Sequence, residues 1–173
     1  MCLVVDLNYH EVKNLGSNKP LKVVAFKTLR PLKVYKVIEL MKDDDGDFEG
    51  YQTPYQYLPV NFVNNKFHIK GIGFETESCS QCDTGEFIIR YGAHAFYELA
   101  ACQREVKNGI AQEWDFRIHP AVIPANTCFY VGRDGDIVAS RLEVFEDEES
   151  FQKYAKNARN LSVAEETIPT LAR

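Results

Sequence analysis

Long hydrophobic runs are missing from this sequence. No stretch approaches the roughly 18 uninterrupted apolar residues that a membrane helix needs, which argues against a membrane-spanning protein. Glycine and proline are sparse, at 10 and 7 of 173 residues, and that excludes collagen-like and low-complexity chains. A basic excess is absent too. Twenty Lys and Arg face 25 Asp and Glu, for a formal net charge of -5, which argues against a dedicated nucleic-acid partner. The opening Met1-Cys2-Leu3-Val4-Val5-Asp6 has no basic n-region, and its apolar run is too short for a secretory h-region. The cysteines are Cys2, Cys79, Cys82, Cys102 and Cys128, an odd number without regular spacing. They do not make a disulfide framework, so a reducing cytoplasm is the expected location.

What is present suits one cored domain. The chain is 45% hydrophobic and 26% charged, a balance that offsets conformational entropy by burial rather than staying disordered. At this length a single domain buries about 70% of its unfolded surface. Strand character, with β-branched and aromatic enrichment, marks residues 22–26 and 32–40, and Arg30-Pro31 between them marks a turn or an edge. Further strands are expected over 59–63, 66–69, 86–91, 113–119, 128–131 and 137–145, the last with a break near Ser140. Asn64-Asn65 and Arg133-Asp134-Gly135-Asp136 are hairpin turns, because Asn and Gly accept the positive φ such turns require. Leu99, Cys102 and Val106 predict a helix over 97–107, stopped by Asn108-Gly109. Phe151, Tyr154, Ala155 and Ala158 predict a second over 147–161, with Asp147, Glu148 and Glu149 complementing its dipole. The order of elements predicts an α+β fold, a mostly antiparallel sheet with two helices packed on it. Residues 1–161 form this domain, and 162–173 are a surface tail.

Chemistry-bearing residues are few. Cys79-Ser80-Gln81-Cys82 is a CxxC, but neither a second CxxC nor a His-x-x-x-His pair accompanies it. Cys102, Cys128, His94 or His119 would have to complete a zinc site through the fold. A thioredoxin-like pair should open a helix, whereas this one precedes Asp83-Thr84-Gly85 and a strand, so it reads as a loop pair. Asp43-Asp44-Asp45-Gly46-Asp47 lacks the alternating ligands of a calcium hand, position twelve being Pro54, and reads as a solvated turn. Cys2 would be an N-terminal thiol nucleophile if Met1 is removed, or else part of a first strand. Glu113, Glu143, Arg90, Arg117 and Arg141 are charges on strand faces toward solvent. The segment from Tyr91 to Ala100 places His94 where a strand turns into a helix. There it serves either as an acid, base or donor to a sugar or phosphate, or as a satisfied histidine beneath the helix.

Several segments carry a resemblance: Met1-Cys2-Leu3, Lys33-Val34-Tyr35-Lys36-Val37, Thr53-Pro54-Tyr55-Gln56, Gly92-Ala93-His94-Ala95-Phe96, and the run from Val122 to Gly132. Together they resemble small proteins of gut bacteria and their phages that share a Gly-x-His-x-Phe segment and an Ile-Pro-x-Gly-Thr-x-Tyr-Tyr-x-Gly strand. Asn126 replaces the Gly and Phe129 the first Tyr. The resemblance implies a phage or mobile-element origin and no particular activity. The order of parts from Val34-Tyr35-Lys36 to the Ala-containing helix also resembles small ADP-ribosyltransferase-like domains. That implies a cleft with Tyr35, His94 and Glu143, although Tyr35 stands where those domains carry Arg or His. The expectation is a cytoplasmic accessory protein that binds a protein or small-molecule ligand without catalysis and without a cofactor. The alternatives are the transferase-like, nucleotide-handling enzyme and a structural zinc domain on Cys79 and Cys82.

Overall fold

A computed structural model describes residues 3–17, 21–54, 57–71, 79–82, 84–158 and 160–172. Short strands come first: β1 (Leu3–Val4), β2 (Val12–Lys13), β3 (Lys22–Val23) and β4 (Phe26–Lys27). The longest strand, β5 (Leu32–Lys42), follows, then β6 (Phe48–Gln52), β7 (Pro59–Val60), β8 (Lys66–Lys70), β9 (Cys79–Gln81), β10 (Phe87–Ile89) and β11 (Ala93–Phe96). Helix α1 (Leu99–Ile110) leads into β12 (Phe116–Ile123), β13 (Cys128–Val131), β14 (Asp136–Ala139) and β15 (Arg141–Phe145). After these come α2 (Glu148–Asn157), β16 (Ser162–Val163), α3 (Ala164–Thr167) and a 3-10 turn (Ile168–Leu171).

The main sheet runs β4-β13-β14-β11-β5-β12-β15-β8, with β6, β7 and β16 attached to it. Its pairs are antiparallel except β16 on β5, so this is the expected α+β fold. Alternation along β5 explains why it sits centrally. Leu32, Val34 and Ile38 enter a core with Ala95, Ala121, Ile123, Leu142 and Val144, while Val37 faces Cys102 and Phe116 beneath α1. Val122, Phe145 and Phe151 form the contact of α2 with the sheet. No helix among the described residues is long and apolar enough to cross a membrane.

Both predicted hairpin turns form. Asn64 and Asn65 take φ of 51° and 60° between Val63 and Lys66, whose backbones exchange hydrogen bonds of 2.9 and 3.2 Å. Gly135 takes φ 79° between β13 and β14. Asp147 caps α2, its carboxylate accepting from Ser150 N at 2.7 Å, and that hydrogen bond holds the carboxyl below the usual range.

Four expectations need correction. Helix α1 runs on through Asn108-Gly109 to Ile110, because Gly109 is used for space: a Cβ there would collide with the Phe116 ring. The chain turns instead at Glu113 (φ 64°), so β12 starts at Phe116 and continues past Pro120 to Ile123. Helix α2 ends at Asn157, short of residue 161. The segment after residue 161 is no loose tail. Ser162 N donates to Pro31 O at 3.0 Å, β16 adds a parallel edge to β5, and Ala164 and Ile168 are fully buried. Their apolar side chains cover the β5 end of the core, which would otherwise face water.

Candidate functional site

Strand β11 is fully laddered on one side and nearly bare on the other. It pairs with β14 at all four positions, from Ala93↔Ala139 to Phe96↔Asp136, but with β5 only at Phe96↔Tyr35. Beyond that pair the two strands part, and the His94 carbonyl has no ladder donor from β5. A side chain supplies one. Lys36 Nζ donates to His94 O at 2.7 Å. Backbone acceptors cut off from water need such a partner, and a charged donor makes a strong one.

The opening between the strands is a cavity of about 40 Å³, lined by Lys36, Thr53, Leu58, Ile69, His94 and Phe96 among others. His94 is only 8% exposed, and neither ring nitrogen has a hydrogen-bond partner among the described residues. Burial, reinforced by the nearby Lys36 charge, lowers its pKa to about 3, so the ring is neutral at physiological pH. Lys36 is half-buried, and burial lowers its amine to about 8. The Cys102 thiol lies close enough to act on Lys36: burial pushes the thiol up to about 12, and the Lys36 charge partly opposes that. Glu105, on α1, borders the same cavity. The arrangement offers one ammonium, one neutral imidazole and an apolar wall. It can hold a small polar group firmly.

The residues singled out from sequence fall into three places. His94 lies in the cavity, and Tyr35 is on the adjacent strand, half-buried, with Lys33 Nζ 5.5 Å from its ring centroid. Its hydroxyl is raised by burial and then by the Glu165 charge. Glu143 stands across β12 on β15, where it pairs with Lys66 Nζ at 3.0 Å and lies 3.9 Å from His68 Nδ1. Cys79 belongs to β9, and the free thiol of Cys82 sits 2.9 Å from Thr84 Oγ1, a hydrogen bond that lowers its pKa. Among the described residues, no three His, Cys, Asp or Glu side chains gather as a metal-holding group. Cys2 and Asp83 lie outside the described residues.

Sequence reasoning overlooked Lys36, and a signal for it was available. Leu32, Val34, Lys36 and Ile38 share one alternation of β5, so the lysine occupies a position otherwise reserved for the core. It also overlooked His10, which is 4% exposed and bridges two backbones: Nδ1 donates to Val24 O at 2.9 Å, and Nε2 accepts from Val131 N at 2.8 Å. That histidine is a structural brace. Comparison with protein-family models, curated proteins and solved structures found no match.

Proposed function

We propose that this is a binding protein without catalytic activity, an accessory factor of phage or mobile-element origin, holding a small ligand in the cleft between β5 and β11. One observation carries the reading. A buried, neutral His94, with both ring nitrogens unpartnered among the described residues, lines a cavity together with Lys36. Unpaired polar groups in a folded interior are costly, and a ligand that pairs them recovers the loss. The free thiols of Cys82, Cys102 and Cys128 suit a reducing cytoplasm. The resemblance around Gly92 to Phe96, centred on this histidine, supports the phage origin.

A thermal-shift screen of the purified protein against a metabolite library tests the reading. A stabilising hit should lose its effect in His94→Phe and keep it in Phe48→Ser, which alters an exposed residue of β6. A hit unaffected by His94→Phe would place binding elsewhere.

The transferase-like reading draws support from Tyr35 and His94 lying on neighbouring strands. It requires turnover of NAD, with loss of that turnover in Glu143→Gln. Wild-type protein that leaves NAD intact removes it.

A further inference from the structure

Resting on the binding reading above, we infer that the ligand is a small organic monocarboxylate, its head group on Lys36 Nζ and a His94 ring N–H, its short apolar tail along Phe96, Leu58 and Ile69.

The argument starts from charge. An ammonium partly removed from water, as in half-buried Lys36, is stabilised by an anion or further acceptors that replace its lost hydration. Lys36 has three protons to donate, and its partner is one backbone carbonyl, His94 O. No carboxylate pairs with it among the described residues. Neutral His94, which lines the same cavity, carries one N–H donor and one lone pair that have no partner among the described residues. A carboxylate satisfies this set: one oxygen accepts from the ammonium and the other from the imidazole N–H.

Size and neighbouring charge narrow the class. A water needs roughly 10–15 Å³ of such space, so a cavity of 40 Å³ takes about three heavy atoms, as many as a carboxylate has. The rest of the ligand must lie along the apolar wall toward the opening. The groups around Lys36 that carry or exchange protons are His94 on β11 and Cys102 and Glu105 on α1. Glu105 borders the same cavity, and its carboxylate opposes a second anionic group there, which favours a monocarboxylate over dicarboxylates and phosphate esters.

Isothermal titration of the wild-type protein with butanoate and hexanoate, beside butanamide and hexanamide, tests this at about pH 8 in two buffers of different ionisation enthalpy. That pH is where the Lys36 amine is partly deprotonated. An anion on Lys36 firms its proton, so carboxylate binding should take up protons and its heat should change with the buffer. The acids should bind about ten-fold or more tighter than the amides, and Lys36→Met should remove that preference. The buffer dependence is read on wild-type protein, so the test stands even if Lys36→Met folds poorly. Equal binding of acid and amide, or acid binding without proton uptake, overturns the carboxylate assignment and leaves the cleft as a binding site. Neither acid nor amide binding also overturns the assignment. The screen above then decides separately whether the binding reading survives.

Discussion

Two gaps in the same sheet have been filled by side chains, and they differ in what is left over. At the first, β12 pairs with β15 at Ala121↔Val144 and Val122↔Glu143, and the next residue, Pro120, has no N–H to continue the ladder. The carbonyl of Phe145 accepts instead from His119 Nδ1 at 3.2 Å. The rest of the His119 ring is packed away, stacked on Phe62 at 5.5 Å and edge-on to Tyr51 at 5.8 Å. At the second, Lys36 repairs the His94 carbonyl where β5 and β11 part. There the repair brings a charge, and the histidine that lines the cavity leaves both ring nitrogens without a partner among the described residues. The first gap is closed by a side chain sealed among aromatic rings. Among the described residues His119 keeps one ring nitrogen without a partner and His94 keeps two, but only the second gap adds a cavity and a charge, and those make it the better candidate for a binding site.

Substitutions can break or sharpen that contrast. The largest effect is expected for His119→Ala, which leaves Phe145 O without its donor and opens a void beside Phe62. A loss of about 4 kcal/mol in denaturant unfolding is expected, and a loss below that of an ordinary core truncation would remove the repair role. Phe151→Ala calibrates that ordinary cost. The ring is 2% exposed, edge-on to Phe145 at 5.6 Å, and its loss should destabilise by about 3 kcal/mol. Asp136→Asn should stabilise by about 1 kcal/mol at neutral pH, since burial raises this carboxyl to about 6 and leaves Oδ1 unpartnered. The folded Asp136 holds its proton more firmly than the unfolded one, so its contribution falls as pH rises from about 3.8 to 6, and the variant should flatten that slope.

The smallest change at neutral pH should come from Lys36→Met, within about 1 kcal/mol, because the lost hydrogen bond is offset by removing a desolvated charge. Its signature lies in pH dependence. The folded amine, lowered to about 8, binds its proton less firmly than the unfolded one at 10.5. The unfolded chain therefore carries more protons across that window, and wild-type stability should rise with pH through it while the variant stays level. An equal rise in both proteins would show that Lys36 is not desolvated.

The parts legible in the sequence were those written in local chemistry. Asn64-Asn65, Asp134-Gly135 and the break at Ser140 each act within a few residues and each stands where it was read, while Asp147, read as first-turn charge, caps the helix from just outside it. The strand expected to end at residue 119 runs on through Pro120, because the neighbouring His119 side chain serves in place of the missing N–H. The segment after residue 161 looked like a tail because its partner is Pro31 and Leu32, far away in sequence. His94 was legible as a residue at a strand-to-helix junction. The cavity beside it was not, since it depends on where β5 and β11 separate, and no local pattern specifies that.

The pairing of β5 also has a kinetic side. As the chain leaves the ribosome this strand is made early, yet its first partner, β6, covers only Glu39–Lys42. The eight pairs with β12 wait until residues 116–123 have been made, and the edge beside Leu32 and Lys33 waits for Ser162 and Val163. Long loops must close before these contacts form, which makes folding slow. Until residues 116–123 have been made, the nascent protein therefore carries a long, half-apolar strand with an open edge, the kind of surface that pairs with other chains.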